Sequence, residues 1–166
     1  MQYLSIWDLV LTPIYLVVLT AIARRMRDKR YPVGHALRRF YLPGLYVKFA
    51  GAILIAVIYE FYYGGGDTFN YFAHSQIINS SLDDSFLTWF DLLLRRSPDT
   101  NPRIYQYSSQ MFWYVDPPAY IVCVIGAICG IFNGTTYIPI SLLFAFISYT
   151  GIWAMYRTFV NLYPSL

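Results

Sequence analysis

The chain has 166 residues, of which 57% are hydrophobic, 20% aromatic and only 13% charged, about half the ~25% charged content of soluble domains. Lysine and arginine exceed aspartate and glutamate by twelve to nine, and the basic residues are unevenly spread. Eight of them, Arg24, Arg25, Arg27, Lys29, Arg30, Arg38, Arg39 and Lys48, lie between positions 24 and 48. Because apolar segments flank that cluster, it marks a cytoplasmic loop and not a nucleic-acid patch. The composition excludes a water-soluble domain and points to an all-α, polytopic membrane protein.

Residues 4–23 form a mostly apolar run close to the ~20 residues needed to cross the hydrocarbon core. The positive charges follow this run, whereas a cleavable signal peptide carries them ahead of it. The N-terminus is therefore expected outside, with Tyr3 and Trp7 in the interface, Asp8 near the outer end in reach of water, and a kink at Pro13. Residues 24–44 form the basic cytoplasmic loop, where Pro32-Val33-Gly34 breaks any helix and His35 is a solvated loop residue. The second span covers 45–63, with Lys48 snorkelling to the inner interface. Glu60 stands near its outer end among Tyr59, Phe61, Tyr62 and Tyr63, too far from Lys48 to pair with it.

Residues 64–118 form a long external loop with six acids (Asp67, Asp83, Asp84, Asp91, Asp99, Asp116) against three bases (Arg95, Arg96, Arg103). Within it Phe86, Leu87, Phe90, Leu93 and Leu94 make the stripe of an amphipathic helix. Asp83 and Asp84 suit its N-terminus, Arg95 and Arg96 its C-terminus, and Trp89 sits near the boundary as the helix lies flat on the membrane surface. Tyr105 to Tyr114 brings aromatic residues that either cover a site or settle at the headgroup level. A short apolar run at 119–132, about 21 Å as helix, either crosses with local thinning or is re-entrant. The last span is 137–156. The expectation is about four membrane helices; Arg157 falls outside if the short run crosses and inside if it is re-entrant. Cys123 and Cys129 lie in an apolar run and behave as small hydrophobes. The ending Asn161-Leu162-Tyr163-Pro164-Ser165-Leu166 reads as interrupted, so the chain is expected to be an N-terminal piece of a longer protein.

The chemistry concentrates at Tyr62-Tyr63-Gly64-Gly65-Gly66-Asp67-Thr68-Phe69-Asn70-Tyr71-Phe72-Ala73-His74. Three glycines allow a sharp turn. In a helix starting near Asp67, residues Asp67, Asn70, Tyr71 and His74 share one face. That face offers a carboxylate for base or metal work, an imidazole for proton transfer and donors for sugar hydroxyls. Glu60, at the same depth, is a second carboxylate, and an ionisable group within a span is costly enough to be read as functional. Each residue also has a purely structural role open to it: Asp67 as helix cap, His74 as an ordinary hydrogen-bonded side chain, Arg95 and Arg96 as headgroup contacts or C-caps.

An outer loop opening with Gly-Gly-Gly-Asp-Thr-Phe-Asn-Tyr-Phe just after a span, and followed by an interfacial helix, resembles the first external loop of polytopic glycan-assembly proteins. These are GT-C-type glycosyltransferases and O-antigen or exopolysaccharide polymerases, the pattern being most similar to members from Bacteroidota. The resemblance covers mainly residues 45–96. It implies a bacterial inner-membrane protein that transfers or polymerises sugars from a polyprenyl-phosphate-linked donor on the outer face. Asp67 would be the base or the ligand of a divalent metal, supported by Glu60; His74, Tyr71 and Asn70 would position the substrate, and Arg95, Arg96 and Arg103 would attract the lipid-linked phosphate. Thr68 stands where many such enzymes carry a second acid, so the metal stays unassigned. The alternative is a non-enzymatic transporter fragment or assembly scaffold whose external loop docks a partner.

Overall fold

The computed structural model describes residues 3–163, all helical or loop with no strand among them; the final Pro164-Ser165-Leu166 lies outside the described residues. Seven α-helices follow one another: α1 Ile6–Arg30, α2 Arg38–Ile58, α3 Asp67–Ser80, α4 Phe86–Leu93, α5 Arg103–Ser108, α6 Pro117–Gly130 and α7 Tyr137–Leu162. A wider π-helical turn, Tyr59–Tyr63, prolongs α2, and a 3₁₀ turn, Phe112–Val115, precedes α6. Among the described residues three helices are long and apolar enough to cross a membrane: α1, α2 with its π-turn, and α7. α6 has 14 residues, about 21 Å, short of the ~30 Å core.

The three long helices are tied at both ends, and the ties fix their directions. At one end the Asp8 carboxylate of α1 accepts the Ile138 N–H of α7 at 2.7 Å. At the other end Trp153 Nε1 of α7 donates to the Tyr31 hydroxyl, just past α1, at 2.8 Å, and the Tyr149 hydroxyl donates to the Tyr41 carbonyl of α2 at 2.6 Å. α1 and α7 are therefore parallel and α2 antiparallel to both. Residues 64–136 leave α2 and rejoin α7 at the same end, called here the far end. The opposite end carries Arg24 to Arg30, and the direction of α7 brings Arg157 towards it too.

The basic segment is less of a loop than its charge pattern implies. α1 continues through Pro13 to Arg30 and α2 starts at Arg38, so Arg24, Arg25 and Arg27 are helical and the connection shrinks to residues 31–37. The break falls where Pro32 and Gly34 place it, Gly34 adopting φ +94°. Asp8 departs more sharply from expectation, being 2% exposed. Its carboxylate accepts the Ser5 backbone N–H at 2.8 Å, the Ser5 hydroxyl at 2.9 Å and the Ile138 N–H. One buried acid thus serves the N-terminal turns of two helices, whose first N–H groups have no partner within their own helix.

The segment between α2 and α7 packs as a second unit with its own core of Ile78, Trp89, Leu92, Ile104, Tyr107, Tyr120, Cys123 and Ala127. α3 and α6 lie against each other, and the contact is close because α6 presents glycines. A Cβ on Gly126 would meet Ser75 Oγ at 2.4 Å, and one on Gly130 would meet Asn79 Nδ2 at 2.9 Å. α4 forms where the stripe places it, yet Phe86, Leu87, Phe90 and Leu94 point outward while Thr88, Trp89 and Leu92 are buried. The apolar stripe is thus free to meet lipid. Trp89 belongs to the other face: it is 8% exposed and its Nε1 donates to Asn79 Oδ1 at 3.0 Å, so it is a core residue and not a boundary anchor.

Candidate functional site

The turn before α3 forms because only glycine suits it. Gly64, Gly65 and Gly66 adopt φ of +66°, +154° and +151°, and a Cβ on Gly66 would lie 2.1 Å from Cε1 of Tyr59. This contact seats the start of α3 on the π-turn, a kind of turn often found at functional sites. Gly66 is the N-cap and Asp67 the first helical residue, so Asp67 is not the cap that the sequence allowed, although the helix dipole favours an acid there. Asp67 is exposed and makes no side-chain hydrogen bond or ion pair with the described residues.

α3 does place Asp67, Asn70, Tyr71 and His74 along one stripe, but the environment changes along it. Asn70 and Tyr71 are half-buried and His74 is 3% exposed. The 3₁₀ turn covers the inner part of the stripe: Trp113 stacks on Tyr71 with centroids 5.5 Å apart, and Phe112 meets His74 edge-on at 4.5 Å. Two of the aromatics of residues 105–114 thus pack onto α3. Burial pushes the His74 pKa down, which keeps the imidazole neutral, and its Nδ1 has no partner among the described residues. His74 is therefore not a proton shuttle in contact with Asp67, from which it is separated by seven residues, about 10 Å of helix.

Glu60 reaches the N-terminal segment. Its carboxylate accepts the Tyr3 backbone N–H at 3.1 Å, while the Tyr3 ring stacks on Phe69 at 4.2 Å. Glu60 thereby ties the N-terminal segment to the far end of α2. Arg95 and Arg96 are similarly engaged. Arg95 Nε donates to the Tyr114 carbonyl at 2.7 Å, and Arg96 pairs with Asp91 at 3.4 Å. Arg95 holds the covering turn against the end of α4, and Arg96 turns back onto α4 itself. Arg103 is exposed at the start of α5, which packs on α4, and its backbone N–H is taken by Asn101 Oδ1. Among the described residues no three His, Cys, Asp or Glu side chains gather as a metal-ligand set.

Sequence reasoning missed the cavities. A chamber of about 250 Å³ opens beside the first turns of α3, lined by Thr68, Tyr71, Ser75, Tyr137 and Ser141 together with apolar residues of α2, α6 and α7. It shares Ala52, Ile55, Ser141 and Phe144 with a furrow of about 910 Å³ between α2 and α7. The polar partners of α6 were also missed. Ser75 Oγ donates to the Cys123 carbonyl at 2.9 Å and Asn79 Nδ2 to the Ala127 carbonyl at 2.8 Å. The signal for that contact was present as Gly126-x-x-x-Gly130 facing Ser75-x-x-x-Asn79, the small-residue spacing that lets helices approach closely. No family model, no curated protein and no solved structure matches the chain.

Proposed function

We propose that this chain is a bacterial inner-membrane protein that transfers or polymerises sugars from a polyprenyl-linked donor at the far end of its three long helices. The observation that supports this reading is an exposed carboxylate, Asp67, without an ion pair among the described residues, followed directly by Thr68, which lines the chamber with Ser75, Tyr137 and Ser141. The chamber joins an apolar furrow, so a donor has a place for its headgroup beside hydroxyls and for its first prenyl units between helices.

The residue roles follow from this placement. Asp67 removes the proton from an acceptor hydroxyl as the new bond to the sugar anomeric carbon forms. The bond from that carbon to the donor phosphate oxygen breaks, and the polyprenyl phosphate group leaves with the electron pair. Asn70, Thr68 and Tyr71 hold hydroxyls of the sugar or acceptor. Of the three arginines, Arg103 keeps the phosphate role, because the guanidinium groups of Arg95 and Arg96 are engaged within the covering turn and α4. Glu60 and His74 are positioning residues in this scheme, one through Tyr3 and the other under Phe112. No metal step is included. A non-enzymatic scaffold is the second reading, favoured by the structural engagement of Glu60, Arg95 and Arg96.

The test uses protein in proteoliposomes and a polyprenyl diphosphate sugar bearing a photoreactive group on its first isoprene unit. Labelling of residues 68–75 or 122–126, reduced by unlabelled donor, is the expected result. Absence of labelling in protein that remains folded overturns the donor site and leaves the scaffold.

A further inference from the structure

The furrow between α2 and α7 has a second end, remote from the chamber, with a chemistry of its own. Its walls are almost wholly apolar, with Val47 and Ile55 on α2 facing Phe144 and Ile152 on α7, and Lys48 is the one Lys, Arg, Asp or Glu that lines it. From Phe40 to Ile55 it follows about 22 Å of α2. Gly51 of α2 lines it, and a Cβ at this position would meet nothing within 4 Å, so there is room there for a larger side chain. Its far wall is held by Tyr149 and Trp153, whose polar atoms are taken by Tyr41 and Tyr31.

Lys48 is half-buried and makes no ion pair with the described residues. Helical side chains lean towards the N-terminus, so Lys48 leans towards the basic end. There the Arg39 guanidinium lies 4.5 Å over the Phe40 ring that lines the mouth, and Lys29 and Arg30 line the adjoining cavity. A furrow of this kind accepts a hydrocarbon chain, and Lys48 on its wall with Arg39 over the Phe40 ring calls for an anionic headgroup.

We propose that this furrow binds one acyl chain of an anionic glycerophospholipid from the leaflet at the basic end, with the lipid phosphate paired to Lys48. A zwitterionic lipid brings its own cation beside Lys48 and Arg39, so the charge pattern selects a net-negative headgroup. The chain end points towards Ala52 and Ile55, where the furrow meets the far-end chamber. The lipid enters from the end opposite the one proposed for a donor, the two meet around Ala52 and Ile55, and the lipid's binding does not depend on any sugar chemistry.

The test reconstitutes the protein in nanodiscs of equal phosphatidylglycerol and phosphatidylcholine, releases it in mild detergent and counts retained lipids by native mass spectrometry. Wild type retains phosphatidylglycerol in preference. Lys48→Met, which keeps the apolar stem, lowers that preference about fivefold, the worth of one cation at a membrane surface, and Lys48→Arg keeps it. Gly51→Leu fills the furrow and removes retained lipid of both kinds, while its melting temperature stays at or above wild type because leucine is the better helix former. An unchanged preference in Lys48→Met, or undiminished retention in Gly51→Leu, overturns the proposal. Displacement of phosphatidylglycerol by equimolar polyprenyl phosphate overturns the choice of a glycerophospholipid.

Discussion

The frame of three long helices and the inserted segment between α2 and α7 reach order by different means. In the frame, long helices satisfy their own backbones, and contact is made by rings: Tyr31, Tyr41, Tyr149 and Trp153 meet one another at centroid distances of 4.9–6.1 Å. In the insert the helices are short, so a larger share of their carbonyls and N–H groups lies at helix ends. Side chains supply the partners. Ser75, Asn79, Arg95 and Tyr120 all donate to main-chain carbonyls across the unit. The frame thus joins ring packing to a few polar ties at its two ends, whereas the insert spreads its polar ties through the whole unit, and the candidate chemistry lies where the two meet.

The junction is where that contrast breaks most readily. Gly66→Ala introduces a Cβ 2.1 Å from the Tyr59 ring at φ +151°. Backbone strain and overpacking together cost about 3 kcal/mol or more. The expected result is a large fall in melting temperature in detergent, with the insert released before the frame in proteolysis. Asp8→Ala follows in size. It strips three donors of their shared acceptor, a loss of about 2–3 kcal/mol. Cysteine crosslinking between the starts of α1 and α7 should fall while the environment of Trp89 in the insert is unchanged.

Ser75→Ala tests the insert alone. It removes the hydroxyl that bridges the Tyr71 and Cys123 carbonyls, and an interhelical hydrogen bond of this kind is worth about 0.6 kcal/mol in a membrane protein. A small drop in melting temperature is expected, with the frame's tyrosine and tryptophan signals unaltered. The pH dependence of His74 is the finest probe. Burial lowers its folded pKa, so the unfolded chain binds the proton more readily. Its contribution is fully present above the unfolded value of about 6.5 and is lost as pH falls from there through the folded pKa. His74→Phe should flatten that acid-side decline in stability, and Phe112→Ala, by uncovering the ring, should raise the His74 pKa measured by NMR.

What was legible in the sequence follows the same division. The three long helices announce themselves as apolar runs, and Gly64-Gly65-Gly66 announces the turn, because both signals are local. The fate of Asp8 depends on Ile138, 130 positions away, and no periodicity carries that pairing. The α4 stripe was legible as a pattern; the opposite face turned out to be the packed one, since Trp89 finds its partner in Asn79 of another helix. Tyr71 and His74 were identified by their shared face, yet the covering by Trp113 and Phe112 arises from a turn some forty residues later. Asp67 stands exposed at the first position of α3, where the glycine turn announced a helix start.

Sugar transfer by Asp67→Asn is the most direct measurement, made on the gene in its deleted host with glycan chain length and membrane level read together. Asn preserves the size of the side chain and removes the base, so glycan synthesis should fall about 100-fold or more at an unchanged membrane level. Normal glycan at that same level would contradict a catalytic Asp67 and leave the chain as a scaffold.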